Sequence, residues 1–147
     1  MIDLYTADTP NGYRAELMLE ELGLPYNRHV LSLAKGEHRT ETFRKLNPSA
    51  RIPVLVDHDT ADGEAFVLTQ SVAILLYLAE KTGKLLPGFL RDRAKALEWL
   101  SLDATDMAST RFDAFRLSRS RYKEAAQVLQ EQALHQYTFY YQQLATH

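Results

Sequence analysis

With 147 residues, 46% of them hydrophobic and 24% charged, the chain has the composition of a soluble globular protein, either one sizeable domain or a small domain with an appendage. Seventeen Lys and Arg against nineteen Asp and Glu give a net charge of −2, so no global basic field directs it to nucleic acid, and no apolar run is long enough to cross a membrane. Cysteine is absent, which excludes disulfides and a protein thiolate, and "MIDLYTADTP" opens on an acidic residue rather than the basic region of a signal peptide, so a cytoplasmic location is expected.

Ile2 to Thr6 is a β-like run closed by the turn-forming "DTPNG". A helical pattern follows from Tyr13, with Ala15, Met18, Leu19 and Leu22 at spacings of three and four and Gly23 before Pro25 as a stop. "YNRHVLSL" gives a second strand, "AKGEHR" a polar loop, and Phe43 with Leu46 a short helix ending before Pro48. "NPSARIPVLVD" reads as a third strand in which Ile52, Val54, Leu55 and Val56 favour burial, although Pro53 cannot donate a ladder hydrogen bond. "DHDTADGE" is a hairpin turn pivoting at Asp62-Gly63, and Ala65 to Leu68 the returning strand. "SVAILLYLAEKTG" is an apolar helix closed by Gly83.

The order strand, helix, strand, helix, strand, strand, helix implies an α/β layer on a mixed sheet: two parallel strands joined by a helix, then an antiparallel hairpin and a covering helix. From Arg91 onward no strand pattern appears. Leu97, Leu100, Ala104 and Met107 suit one long helix, and Ala126, Leu129, Ala133, Tyr137, Tyr141 and Leu144 another, with the arginine-studded "RFDAFRLSRSRYK" as a connection between them. The expected domains are residues 1–83, a linker over 84–90 and a helical segment over 91–147.

Taken together, "RIPVLVD", "LTQSVAILLYLAEKTG" and the β-α-β opening resemble the N-terminal thioredoxin-fold domain of cytosolic glutathione transferases. The stretches "MIDLYTADTPNGY" and "LAEKTGKLLP" are most similar to a bacterial nu-class group, whose members act as glutathione-dependent disulfide-bond oxidoreductases. The resemblance implies a thioredoxin-like domain followed by an all-α domain. It implies glutathione as co-substrate, no metal, a small electrophile or a disulfide as second substrate, and a two-fold homodimer.

The resemblance also nominates residues. It implies a cis peptide before Pro53, with the main chain of Ile52 pairing with the cysteinyl backbone of glutathione like an added strand. Ser71, at the start of its helix, would receive the γ-glutamyl carboxylate, and Gln70 would accept from the ammonium group. Plain capping of the helix is the other reading of this pair. Thr9 or Asn11 would aim a hydroxyl or amide N–H at the glutathione sulfur, glutathione itself bringing both reacting sulfurs. Thr9 also suits an N-cap with Pro10 as the first helical residue. Tyr5 is a further candidate, because other classes use a tyrosine just after the first strand, though its place within "IDLYT" favours burial. His38 and Arg51 are nominated for the glycyl carboxylate, each with a solvent-facing alternative. Arg111, Arg116, Arg119 and Arg121 read as a solvated interhelical loop, with a second-domain contact to glutathione as the competing role.

Against the family pattern the helical part is short, so the all-α domain is expected to be incomplete: a truncated form, a fragment, or a chain whose missing helices a neighbouring subunit replaces. Tyr137, Phe139, Tyr140 and Tyr141 crowd one helix on more than one face, which adds a reason to associate. A non-catalytic interaction protein of the same fold is the alternative to an enzyme.

Overall fold

The computed structural model describes residues 1–145; Thr146 and His147, the end of the expected 91–147 segment, lie outside the described residues. Two compact units are present, Met1–Leu86 and one from Pro87 onward.

The first unit is built on a four-stranded sheet of β1 (Ile2–Thr6), β2 (Tyr26–Val30), β3 (Val54–Asp57) and β4 (Phe66–Thr69) in the order β2-β1-β3-β4. β1 runs parallel to β2 and antiparallel to β3, and β3 is antiparallel to β4. With α1 (Pro10–Leu22), α2 (Glu41–Leu46) and α3 (Ser71–Thr82) this is the mixed, thioredoxin-like layer the sequence implied. Alternation along β1 buries Ile2, Leu4 and Thr6 on one face and turns Asp3 and Tyr5 to the other. Ile2, Leu4 and Leu55 from the sheet join Ala15, Leu19 and Leu22 of α1 and Ile74 and Leu78 of α3 in the core. Gly23 and Gly83, at φ 66° each, end α1 and α3 in the left-handed conformation that glycine adopts without strain.

Three boundaries differ from expectation. Ile52 and Pro53 are not part of the third strand: pairing starts at Val54, which faces Tyr5 on one side and Thr69 on the other. A residue without an N–H cannot sit in a strand paired on both edges, so the ladder begins just after it. The returning strand is shifted by one, to Phe66–Thr69. The second strand ends at Val30 rather than running on to Leu33. The first helix opens at Pro10 with Thr9 as its N-cap, in agreement with the Thr9-Pro10 reading.

The second unit is helical: α4 (Leu90–Leu102), a π-helical turn over Asp103–Met107, α5 (Ala108–Ser118) and α6 (Lys123–Leu144). The arginine-studded stretch is therefore mostly helix, not loop. Arg111 and Arg116 stand on α5, and only Arg119 and Arg121 fall in the turn before α6. The π turn absorbs one extra residue where the expected long helix passes into α5. α5 packs along α6, where Ala126 and Ala133 are buried.

Candidate functional site

The pairing registers bring distant segments to one end of the sheet. Tyr5 opposite Val54 sets the end of β1 beside the start of β3, and Val54 opposite Thr69 sets that start beside the end of β4. The turn before α1, the Ile52-Pro53 peptide and the first residues of α3 therefore share this end. β2 finishes there too: Leu31 N–H donates to Thr6 O at 2.8 Å, and the chain runs on into the loop that carries His38.

At the first of these segments, Thr9 has extended backbone, and its hydroxyl accepts from the Gly12 N–H at 3.2 Å while donating to Ala7 O at 3.4 Å. Ala7 O also accepts the Thr9 N–H, at 2.7 Å. The hydroxyl proton is thus on a long bond whose acceptor has a better partner, and it is free to turn toward another acceptor at little cost. Gly12 makes this close packing possible, since a Cβ there would lie 2.3 Å from Ala7 O and 2.5 Å from Thr6 Oγ1. Asn11 is exposed on the first turn of α1, its Oδ1 accepting from Arg14 Nη1 at 3.1 Å, so that Nδ2 is the group left to donate.

The Ile52-Pro53 peptide is cis. The loop delivering it is wound on Asn47, a buried side chain whose role the sequence reading missed. Asn47 Nδ2 donates to Arg51 O at 2.7 Å, and its Oδ1 accepts from the Ser49 N–H at 3.1 Å and Ser49 Oγ at 2.7 Å. The available signal was the Asn-Pro dipeptide, a turn initiator. The side chain of Arg51 is exposed.

Gln70 has φ 72° and ψ 116°, a conformation costly for a residue with a Cβ, and its side chain makes no capping bond to α3. Plain capping by Gln70 is therefore not what fixes this residue. Ser71 follows as the first helical residue and is 8% exposed. The start of α3 thus presents backbone N–H groups and a hydroxyl without the usual side-chain cap, an arrangement suited to an anion.

The remaining candidates stand differently. Tyr5 faces away from α1 and α3: its ring stacks on His29, with centroids 4.6 Å apart, and meets Phe43 of α2 edge-on. His38 lies half-buried in a 3-10 turn, Glu37–Arg39. Its Nε2 accepts from Arg39 Nε at 3.3 Å, which leaves Nδ1 as the protonated nitrogen, and Nδ1 is buried with no partner among the described residues. Glu37 steadies that turn, with Oε2 accepting the Ser32 N–H at 2.6 Å. The four arginines of the second unit are engaged within it. Arg111 donates to the Tyr137 hydroxyl, Arg116 pairs with Asp113 at 3.3 Å, Arg119 covers Phe115 at 4.5 Å and Arg121 covers Tyr122 at 4.9 Å.

A separate hollow of about 610 Å³ lies at the opposite end of the sheet, between the β3–β4 connection and the last turns of α3. None of the candidate residues lines it. Among the described residues no group of three or more His, Asp or Glu is arranged to hold a metal ion, and no helix is long and apolar enough to cross a membrane.

Residues 9–81 match the family model described as glutathione S-transferase, N-terminal domain. The disulfide-bond oxidoreductase YfcG of Escherichia coli is 50% identical over 101 residues, covering 68% of this chain and 47% of that protein. The chain thus spans about half the length of this curated relative. A glutathione transferase homolog from Lodderomyces elongisporus, solved with two glutathione molecules per subunit, superposes with a TM-score of 0.85 at 32% identity, covering 94% of this chain and 67% of that one. A glutathione transferase from Pseudomonas putida, solved with one glutathione disulfide per subunit, gives 0.86 at 27% identity, covering 94% and 62%. On this sequence identity and structural likeness, the chain belongs to the glutathione transferase family.

Proposed function

We propose that the chain binds glutathione at the end of the sheet shared by Thr9, Ile52-Pro53 and Ser71, and activates its thiol for disulfide reduction. The observation that carries this reading is the start of α3, where a strained Gln70 and a buried Ser71 leave a helix N-terminus without a side-chain cap. The γ-glutamyl carboxylate binds there, accepting from the Ser71 hydroxyl and N–H, and Gln70 accepts from the ammonium group. The main chain of Ile52 pairs with the cysteinyl backbone, while Arg51 faces the glycyl carboxylate and His38 reaches it once its ring turns the buried Nδ1 outward. The sulfur lies against Thr9, with Asn11 Nδ2 as its second donor. Tyr5 takes no part, because its ring is committed to His29 and Phe43.

Thr9 lowers the cost of forming the glutathione thiolate by donating its hydroxyl to the sulfur. The thiolate attacks one sulfur of a disulfide and expels the other as a thiolate, which takes a proton from solvent. A second glutathione thiolate then attacks the glutathione sulfur of the mixed disulfide, forming oxidised glutathione and expelling the substrate's remaining sulfur as a thiolate, which also takes a proton from solvent. Two electrons pass from two glutathione molecules to the substrate disulfide, and no protein cysteine is needed, in keeping with a chain that has none. Conjugation to a small electrophile uses the same thiolate. In this reading the protein works as a cytoplasmic homodimer.

The non-catalytic alternative has one observation in its favour: the Thr9 hydroxyl already donates to Ala7 O and accepts from the Gly12 N–H. Calorimetry with glutathione and its disulfide, paired with a turnover assay on a small dialkyl disulfide, separates the readings. Binding with turnover supports the enzyme. Binding without turnover supports the interaction protein, and no heat with either ligand at millimolar concentration overturns the site.

A further inference from the structure

A charged cluster in the first unit joins the Thr9 turn to the neighbouring strand. Arg28 of β2 donates to Asp8 Oδ1 through Nη2 at 3.0 Å and forms an ion pair with Glu16, whose Oε1 lies 3.0 Å from Nε but out of line for a hydrogen bond. Asp8 immediately precedes Thr9, and Glu16 stands one turn beyond Gly12 on α1. One planar guanidinium therefore ties both ends of the segment carrying Thr9 and Asn11 to the β1–β2 pair. The two arms differ in weight. The Glu16 side chain is only 15% exposed, whereas that of Asp8 is 70% exposed. The shielded Glu16 contact fixes the helix, and the exposed Asp8 contact steers the turn.

This matters because the packing beneath Thr9 has no slack. α1 approaches the turn so closely that Gly12 has no room for a Cβ, and Thr9 Oγ1 is located by bonds to Ala7 O and the Gly12 N–H. A small slide of α1 against the turn would change where that hydroxyl points. Its anchorage to the sheet through Arg28 resists such a slide. A lysine would meet one carboxylate but not fork between the two.

We propose that Arg28 is a positioning residue for sulfur activation, holding Asp8 and Glu16 so that the Thr9 hydroxyl and the first turn of α1 meet the glutathione sulfur as its thiol loses a proton to solvent. The proposal rests on the glutathione reading above and deepens it.

The experiment compares the wild-type chain with Arg28→Ala and Arg28→Lys in three measurements. These are the ultraviolet absorbance of bound glutathione thiolate against pH, glutathione affinity by calorimetry, and amide hydrogen exchange in the unliganded protein. In both variants the ionisation constant of the bound thiol should fall by about 3- to 10-fold, with affinity unchanged within about twofold. Exchange at Gly12 and Tyr13 should quicken by about tenfold while Leu55 in β3 keeps its rate. Unchanged ionisation and exchange would make Arg28 an ordinary surface ion pair and overturn the proposal. So would losses spread evenly over affinity and all amides, which is the mark of a general folding role. If the wild-type chain itself takes no glutathione, both the site reading and the sulfur role fall, and the absence of wild-type binding distinguishes that case from failure of the clamp alone.

Discussion

Thr9 has two duties, and they can be measured apart. As N-cap it accepts the Gly12 N–H, and as sulfur donor it must release its own proton from Ala7 O. Thr9→Ala loses both and should cost about 1 kcal/mol of stability from the cap alone. Turnover should fall more than glutathione affinity, because the contact strengthens as the thiolate develops. Thr9→Ser keeps a hydroxyl and should restore most of each. Equal losses in turnover and affinity for Thr9→Ala would move the sulfur contact to Asn11. Ser71 gives a different signature, since its partner is a carboxylate that is charged throughout the reaction. Ser71→Ala should weaken glutathione binding by about 1–3 kcal/mol with little change in turnover at saturation. Calorimetry checks this, and a change of a few tenths would reduce Ser71 to a helix-start residue.

Between elements, the first unit is tied together by a buried carboxylate at the end opposite the candidate site. Asp57, the last residue of β3, has no exposed surface; it accepts from Lys81 Nζ at 2.6 Å and the Tyr77 hydroxyl at 2.7 Å, both on α3. Burial pushes the Asp57 carboxyl up, but the bonds from Lys81, Tyr77 and the Asp59 N–H outweigh it and hold the group below its ordinary 3.8. Burial and the same carboxylate push the Tyr77 hydroxyl up to about 12. On the sheet face that Tyr5 shares, bonds from His29, Asn27 and His58 bring Asp3 down to about 2. A carboxyl depressed in the folded state contributes stability that is fully present above 3.8 and lost as pH falls through its folded value, so for Asp3 the window runs from 3.8 to about 2. Lys81→Met should leave Asp57 short of its counter-charge and destabilise the fold by about 2–4 kcal/mol at neutral pH. Its acid unfolding should begin at higher pH than in the wild type. Adding Asp57→Asn should recover much of the loss by removing the stranded charge. Circular dichroism against pH and denaturant checks both, and a Lys81→Met chain as stable as wild type would show that Tyr77 and the Asp59 amide suffice.

At the scale of the whole molecule, the exposed apolar surface of α6 bears on association. In the second unit α6 turns Tyr137 and Tyr140 inward, where Tyr137 meets Arg111 and Tyr140 meets Trp99 edge-on. Phe139 and Tyr141 remain 49% and 76% exposed, with Val128 and Leu134 also in water. Of the four aromatics that the sequence marks as needing cover, two are covered within their own unit. Fully burying a large apolar side chain contributes roughly 1.5–3 kcal/mol, so the exposed set favours association through this helix. Sedimentation at micromolar concentration should find a dimer, and Phe139→Asp with Tyr141→Asp should shift it toward monomer without unfolding α6. A well-behaved wild-type monomer at that concentration would overturn the dimer and assign these aromatics to the solvent-facing surface.

By itself the sequence determined what is encoded within a few neighbouring residues. Gly23 and Gly83 stop their helices, Thr9-Pro10 opens one, and the helix-period and strand-period runs give the element order of the first unit, because capping and periodicity are local. Family motifs alone mark Ile52-Pro53 and Gln70-Ser71 as candidates. Register was beyond such reasoning: only Tyr5 opposite Val54 and Val54 opposite Thr69 gather three segments at one sheet end, and only the alternation of β1 turns the Tyr5 ring onto His29. Asn47, Gly12 and Arg28 gave no decisive sequence signal, since each acts through partners that chain closure brings near. The "RFDAFRLSRSRYK" stretch became helix for the same reason. Its arginines look like solvated loop charges in isolation, and packing against Tyr137 on α6 draws Arg111 into α5. Local propensity sets which elements form, while pairings between distant residues, each made against the entropy of closing a loop, decide where their side chains meet.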